Sequence, residues 1–129
     1  MNGAPAECPF CALPLERIER QNSLALSFFD AYPVSDGHAL VIPRRHLASA
    51  GDLTEAEVVA IWQLLRQMRE IVHERHRPDG FNIGVNDGAV AGQTVGHAHF
   101  HLIPRYAGDL PDPRGGVRWV LPGKAKYWE

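Results

Sequence analysis

The chain has 129 residues, enough for one domain with a core that folds unaided. Hydrophobic residues make up 45% of it and charged residues 22%, as in an ordinary globular protein, and the net charge of −2 gives no electrostatic argument for binding nucleic acid. No apolar run is long enough to span a membrane and no basic-then-apolar leader is present, so we expect a soluble cytoplasmic protein.

Both cysteines lie in the sequence Cys8-Pro9-Phe10-Cys11. A buried disulfide is not expected in a cytoplasmic protein, and a redox pair usually sits inside a strand-to-helix unit, which this segment precedes. The spacing suits two ligands of a zinc ion, which needs two more. The residues alone do not select these two among the seven histidines.

Strands and one long helix follow in order. Residues 23–29 and 39–42 have the composition of strands and are separated by turn signals at Pro33 and Asp36-Gly37. A helix is predicted to begin with a capping box of Thr54 and Glu57 and to end at residues 78–80. Its predicted buried residues recur at helical spacing: Val58, Ile61, Trp62, Leu65, Met68 and Val72.

A further strand and a glycine-rich loop come after the helix. Residues 81–86 alternate as a strand, and residues 87–94 form a loop that offers backbone N–H groups, an amide and a hydroxyl. Glycines allow backbone donors to approach a phosphate closely, although an ordinary hairpin connection has the same composition. The order of strands, helix and strands predicts an α+β fold with an antiparallel sheet.

Histidine occupies every second position of residues 97–101. In an extended strand the three imidazoles line one face, while Ala98, Phe100 and Leu102 pack behind them. The plain alternative is a solvated strand face rich in histidine. His97 and His101 start about 13 Å apart in a strand, too far for one zinc ion at about 2.0–2.1 Å from each nitrogen. The row therefore indicates separate roles along an anionic substrate, with His99 as the nucleophile.

The tail, residues 106–129, is rich in proline and glycine and carries two tryptophans and several basic residues. One interpretation is a surface extension that wraps its own domain. The other is a segment near an active site, of this subunit or a partner, that contacts distal phosphates or a base. The sequence gives no geometry that decides between them.

The chain resembles the histidine-triad (HIT) superfamily of nucleotide hydrolases and transferases. The family signature alternates histidine with hydrophobic residues and ends in two of them, and residues 97–103 match it at every position. Gly92-Gln93-Thr94-Val95 is similar to the family's usual lead-in, and residues 37–43 resemble its other phosphate-side strand. The likeness covers roughly residues 8–105 and is to zinc-bearing bacterial-type members.

This resemblance implies a single HIT domain over residues 1–129, with a zinc-binding N-terminal segment at 1–14 and the tail at 106–129. Its sheet would have about five antiparallel strands, with one long and one short helix, and would continue across a homodimer. The implied partners are a nucleotide, preferably adenine-containing, and a second copy of the chain, with no membrane and no nucleic acid.

The implied activity is cleavage at the α-phosphate of dinucleoside polyphosphates or nucleoside phosphoramidates through a nucleotidyl intermediate on His99. Asp30 matches the family's acidic ribose contact, unless it simply ends its strand, and Asn86 would bind phosphate or ribose. The remaining implied residues surround the phosphate oxygens: His38, Gln93, Thr94 and His101. Magnesium would accompany only a polyphosphate substrate.

The resemblance also completes the zinc site, because zinc-bearing members add the histidine after the Ile-Pro strand and the first histidine of the triad. These are His46 and His97, which would join Cys8 and Cys11 around a structural ion. Two other functions stay open from the sequence. One is a metallohydrolase that holds a catalytic ion on the histidine strand, and the other is a nucleotide-binding sensor with little turnover.

Overall fold

The fold is a five-stranded antiparallel sheet with one long and one short helix, as a computed structural model of residues 5–129 shows. Residues 1–4 of the expected N-terminal segment lie outside the described residues. The elements are β1 (Ile18–Gln21), β2 (Ala25–Phe29), β3 (Ala39–Pro43), α1 (Glu55–His76), β4 (Gly80–Val85), β5 (Phe100–Arg105) and α2 (Pro122–Ala125). The strand order is β1-β2-β3-β5-β4, and every neighbouring pair is antiparallel. The predicted α+β class and sheet are confirmed.

The two faces of the sheet have different partners. One face packs against α1, and its core includes Val41 and Leu102 with Leu64 and Met68 of the helix. The other face carries a second apolar cluster, formed by Leu26 and Phe28 of β2 and by Leu40 and Ile42 of β3. His101 lies opposite Leu40 in the β3–β5 register, so its side chain emerges on this second face, away from α1. His101 is thereby kept clear of the helix.

Helix α1 begins at the predicted capping box. The hydroxyl of Thr54 accepts from the backbone N–H of Glu57, and the Glu57 carboxylate accepts from the N–H of Thr54. Arg45 forms an ion pair with the same carboxylate at 2.8 Å, and its hydrogen bonds lower the pKa of Glu57 to about 2. The helix therefore starts at a fixed point beside the β3–α1 connection.

The prediction that Val58 and Trp62 lie in the core is wrong. Their side chains are 50% and 53% exposed. Near its start, α1 turns Glu57 and Ala60 toward the protein, and Asn22 donates to the carbonyl of Ala60 at 2.9 Å. The buried stripe is thus displaced by about one residue there, because the capped Glu57 fixes the rotation of the first turn.

Strand β1 was not predicted, because residues 18–21 are mostly polar and only partly buried at the edge of the sheet. Along residues 5–129, no helix combines the length and the apolar character needed to cross a membrane.

Candidate active site

His99 directly precedes β5, and the residue is 8% exposed. Its Nδ1 is 2.9 Å from the carbonyl oxygen of His97, so the Nδ1–H donates to the backbone. The lone pair of the neutral ring is then on Nε2. This backbone bond selects the tautomer that a nucleophilic histidine needs.

His101 and His38 form a directed chain of hydrogen bonds. The backbone N–H of Val34 donates to His38 Nδ1 at 3.1 Å, so the His38 proton is on Nε2. That nitrogen lies 2.9 Å from His101 Nδ1 and donates to it. Burial is the main cause that lowers the pKa of both histidines, that of His101 to about 4, so both rings are neutral at neutral pH. His101 therefore presents an Nε2–H donor, suited to an anionic oxygen.

Asp30 lies near the same pair, with Oδ2 3.5 Å from His38 Nε2. The possible ligand atoms of Asp30, His38 and His101 lie within 4.8 Å of one another, a spacing that could hold a metal ion. A metal on His38 Nε2 would require the proton to move to Nδ1, where it would face the N–H of Val34. The hydrogen bonding of His38 therefore disfavours a catalytic ion held by these three residues.

The first histidine of the triad faces a different set of groups. His97 is 1% exposed, and its Nε2 donates to the carbonyl of Pro43 at 2.8 Å, which leaves the Nδ1 lone pair free. That nitrogen lies 3.5 Å from the sulfur of Cys8, 3.5 Å from that of Cys11 and 3.3 Å from Nδ1 of His46. The predicted strand over residues 97–103 is shorter in the structure, because β5 begins only at Phe100, and His97 and His99 lie before it.

The spacing of these four donors fits a zinc ion. Tetrahedral bonds of about 2.3 Å to sulfur and 2.0–2.1 Å to nitrogen put sulfur and nitrogen about 3.6 Å apart and two nitrogens about 3.4 Å apart. The observed separations are 3.3–3.5 Å between sulfur and nitrogen and 3.3 Å between the nitrogens. The backbone N–H of Cys11 also donates to Cys8 Sγ at 3.4 Å, which would stabilise a thiolate.

Two cavities meet at His101 on the open face of the sheet. The N-terminal cavity, about 320 Å³, is lined by His99 and His101 together with Phe10, Phe28, Asp30 and Thr94. The C-terminal cavity, about 550 Å³, is lined by His38 and His101, by Asn82 and Asn86 of β4 and its following loop, and by residues of the tail. A molecule that spans both cavities would pass directly over His101.

Phe10 links the cysteine segment to the N-terminal cavity. Its ring centroid lies 5.1 Å from that of His99 and 5.4 Å from that of Phe28, both in tilted or edge-on contact. An aromatic residue of the cysteine segment therefore packs against the candidate nucleophile.

Comparison with known proteins shows which family this chain belongs to. A family model described as the HIT domain matches residues 17–108. The chain belongs to the HIT family. In Schizosaccharomyces pombe, an asymmetrical bis(5′-nucleosyl)-tetraphosphatase is 32% identical, covering 84% of this chain and 60% of that protein. An adenosine 5′-monophosphoramidase of the same yeast is 34% identical, covering 76% and 74%.

A solved structure of a zinc-bound histidine triad family protein from Mycobacterium smegmatis is similar to this HIT protein over most of its length. The identity is 30%, the TM-score is 0.74, and the match covers 91% of this chain and 92% of that one. The relatives of this chain thus include enzymes named for hydrolysing nucleotide phosphate bonds and a protein with bound zinc.

The residues predicted to bind or cleave a nucleotide lie in three places: the N-terminal cavity, the C-terminal cavity and the protein interior. Asp30, Thr94, His99 and His101 line the N-terminal cavity, whereas Asn86 and His38 line the C-terminal one. The amide of Gln93 is fully engaged inside the protein: it donates to the carbonyls of Ala48 and Val95 and accepts from the N–H of Gly88. Gln93 therefore holds the glycine-rich loop in shape, and contact with a phosphate would require it to break one of these bonds.

Several lining residues were not singled out from the sequence, among them Phe10, Phe28, Asn82 and Arg105. An aromatic residue between two cysteines and a polar residue in a strand are common in structural roles, so these positions carried no distinct sequence signal. Their proximity to the histidines depends on the pairing of strands far apart in the sequence.

The lowered pKa of His101 predicts a loss of stability in acid. An unfolded histidine takes up a proton near pH 6.5, whereas folded His101 does so only near pH 4. The contribution of neutral His101 to the free energy of unfolding is therefore complete above pH 6.5. It is lost as the pH falls toward 4, because only the unfolded chain binds the proton between these two values. In urea unfolding with excess zinc in the buffer, the free energy of unfolding should change with pH by about 1–2 kcal/mol less in His101→Gln than in wild type. His73→Gln, at the exposed end of α1, is the control, and parallel pH profiles for wild type and His101→Gln would contradict the assignment.

Proposed function

We propose that this HIT protein is a nucleotide hydrolase or nucleotidyl transferase that cleaves at the α-phosphate of dinucleoside polyphosphates or nucleoside phosphoramidates. The observation that carries the proposal is the 2.9 Å bond from His99 Nδ1–H to the carbonyl of His97, which leaves Nε2 as a nucleophile in a cavity. The relatives named for tetraphosphatase and monophosphoramidase activity support the same substrate classes.

The N-terminal cavity suits a nucleoside. Its aromatic walls, Phe10 and Phe28, offer faces or edges for a base, and the Asp30 carboxylate can accept from ribose hydroxyls. A nucleoside held there places its α-phosphate near His99 and His101, which line the same cavity. Adenine is the proposed base because the phosphoramidase relative is named for adenosine.

The reaction then has two displacements at one phosphorus. His99 Nε2 forms a bond to the α-phosphorus, and the bond to the leaving group breaks; an amine leaves with a proton from water. His101 donates its Nε2–H to a non-bridging oxygen, and the His38 and Val34 bonds keep that donor in place. Water next attacks the phosphorus, the P–N bond to His99 breaks, and a proton returns to solvent. Two steps with an imidazole leaving group replace one difficult hydrolysis.

We also propose that Cys8, Cys11, His46 and His97 hold one structural zinc ion. All four protein donors point inward, which is the closed arrangement of structural zinc sites. The Nε2–H of His97 bonded to Pro43 is the outer contact that fixes the tautomer of a ligating histidine. Such an ion would hold the N-terminal segment against the start of the triad.

A homodimer is the proposed assembly. Strand β4 is at the edge of the sheet, and its outer backbone groups can pair with a second copy. Val58, Val59 and Trp62 leave exposed apolar surface on α1, each at least half exposed. Sedimentation equilibrium tests the proposal: a mass of one chain at micromolar concentration would exclude it.

Intact mass spectrometry tests the activity. The protein is mixed with adenosine 5′-phosphoramidate or with diadenosine tetraphosphate and quenched in alkali, which preserves a phosphorus–nitrogen bond. We expect an added adenylyl mass on wild type and on His73→Ala, and none on His99→Ala. Release of AMP without any adduct in rapid-quench samples would contradict the covalent route, and absence of both adduct and product would contradict the enzyme.

A further inference from the structure

Arg17 is a basic side chain in the N-terminal cavity that the proposed reaction does not use. It directly precedes β1, is half-buried and lines the cavity together with Phe28 and Asp30. Arg17 and Asp30 are the only arginine, lysine, aspartate or glutamate residues that line this cavity among residues 5–129. A cation therefore lies in the space that the proposed function assigns to the nucleoside.

The guanidinium of Arg17 is held in place by its neighbours. Its Nη2 donates to the carbonyl of Phe29 at 2.6 Å, and its Cζ lies 5.5 Å from the centroid of the Phe28 ring. A guanidinium is planar and carries its five N–H donors in a rigid arrangement. One backbone bond and one aromatic contact therefore orient these donors before any ligand enters, which lowers the entropic cost of binding.

The charge of Arg17 is not neutralised by a carboxylate. The ion pairs formed within residues 5–129 do not include Arg17. Asp30, in the same cavity, accepts from the backbone N–H of Tyr32 at 2.9 Å, and its second oxygen lies 3.5 Å from His38 Nε2. That carboxylate is thus engaged beside the histidine pair. A half-buried guanidinium with unused donors favours a ligand that offers acceptor atoms.

The bond to Phe29 leaves a pair of parallel donors on Arg17. Nη2 carries two N–H groups, one parallel to an N–H of Nη1 and the other parallel to the N–H of Nε. Whichever of the two the Phe29 carbonyl accepts from, the other still forms a pair with its neighbour. Such a pair fits two acceptor atoms that lie side by side, as in a carboxylate or at O6 and N7 of guanine.

The place of Arg17 in the cavity assigns it to the base and not to the α-phosphate. The ring of Phe10 contacts both His99 and Phe28, with centroids 5.1 and 5.4 Å away, and Phe28 in turn contacts Arg17. The candidate nucleophile, two aromatic rings and the guanidinium therefore follow one another along the cavity wall. A nucleotide with its α-phosphorus at His99 and its base against the rings directs the far edge of that base toward Arg17.

We propose that Arg17 contacts the base edge of the nucleotide, so that 6-oxopurine nucleotides, those of guanine and hypoxanthine, bind more tightly than adenine nucleotides. This rests on the proposed function, which puts a nucleoside in the N-terminal cavity. A 6-oxopurine offers O6 and N7 as neighbouring acceptors for the paired N–H groups. Adenine keeps N7 but has an amino group at position 6, whose N–H groups face those of Arg17. Adenine nucleotides therefore still enter the cavity but make at most one of the two bonds.

Calorimetric titration of wild type with IMP, GMP and AMP tests this contact without any turnover. IMP and AMP differ only in the groups at positions 1 and 6 of the purine. We expect IMP and GMP to bind about 10-fold more tightly than AMP, within the range that one bidentate arginine contact gives. Arg17→Met should bring the three dissociation constants within about 2-fold of one another, because methionine keeps an apolar stem beside Phe28 and removes the donors.

Two further variants separate a base contact from other roles of this cation. Arg17→Lys keeps the charge but not the paired donors, so it should also lose the preference for IMP. Arg20→Met is the matched control and should keep the preference, because Arg20 is exposed in β1, donates to the carbonyl of Glu19 at 2.8 Å and does not line the cavity. If Arg17→Met weakens all three nucleotides equally and the ratio of IMP to AMP affinity is unchanged, the base contact is overturned.

Turnover of inosine and adenosine 5′-phosphoramidates by wild type distinguishes this inference from the proposed function. The kcat/KM values should follow the binding order, with the inosine compound about 10-fold higher, because the base contact is made in both the ground state and the transition state. Equal affinities for IMP and AMP in a protein that hydrolyses both compounds would overturn the base contact alone. Tighter binding of IMP that is lost in Arg17→Met, with no turnover of either compound by wild type, would reject the proposed function and retain the base contact.

Discussion

Substitution of His99 by alanine is expected to lower kcat for adenosine 5′-phosphoramidate by at least ~10³-fold, because it removes the atom that bonds to phosphorus. The dissociation constant for AMP should change by only a few fold, since the aromatic walls and Asp30 of the N-terminal cavity are retained. A binding loss that matched the loss of turnover would point to general damage to the site.

His73→Ala is the control for this experiment. His73 lies in the last turn of α1 and is exposed, so its removal should leave kcat within about 2-fold of wild type and the melting temperature within a few degrees. The nucleophile assignment fails if His99→Ala keeps more than a tenth of wild-type turnover while His73→Ala behaves as expected.

Removal of the proposed zinc ion is expected to lower the stability of the protein strongly. We expect one zinc ion per chain, and a melting temperature that falls on the order of 10–20 °C after chelation, because a tightly bound ion contributes about 4 kcal/mol at 1,000 times its dissociation constant. Cys8→Ser should lower the zinc content and bring the melting temperature close to that of chelated wild type. Cys8 is the buried one of the two cysteines, and its sulfur lies 3.5 Å from His97 Nδ1.

Two further measurements separate the zinc site from other causes of instability. His38→Gln, which changes the other histidine cluster, should keep a full zinc content. Chelation should then have little additional effect on Cys8→Ser but its full effect on His38→Gln. Zinc content that stays at one ion per chain in Cys8→Ser, or a wild-type melting temperature that does not respond to chelation, would contradict the four-ligand site.

The parts of the fold set by local patterns were predictable. The capping box at Thr54, the alternation of residues 81–86 and the periodic apolar residues of α1 each follow from short-range geometry. The rotation of the first turn of α1 was not, because it depends on the contact of Glu57 with Arg45, twelve residues away. Val58 and Trp62 were misplaced for that reason.

The site was predictable to the extent that it repeats a family signature. That signature indicated His99 and His101, and the structure gives each a distinct hydrogen-bonding role. The resemblance also assigned His97 to the zinc site, but the backbone contact that holds this part of the chain, from the N–H of Ala98 to the carbonyl of Leu47 at 2.8 Å, carried no sequence signal. The tail lay beyond prediction, since no periodic pattern there shows which surface it covers.

The position of Phe10 between Cys8 and Cys11 would link the two proposed binding events, of zinc and of nucleotide, thermodynamically. Its ring is fixed by the segment that would hold zinc and also forms part of the wall around a nucleoside. If the ion orders that ring, metal binding raises the affinity for AMP, and AMP must raise the affinity for the metal by the same factor. Nucleotide would then slow the loss of zinc to a chelator, and the protein's affinity for nucleotide would follow the zinc supply around it.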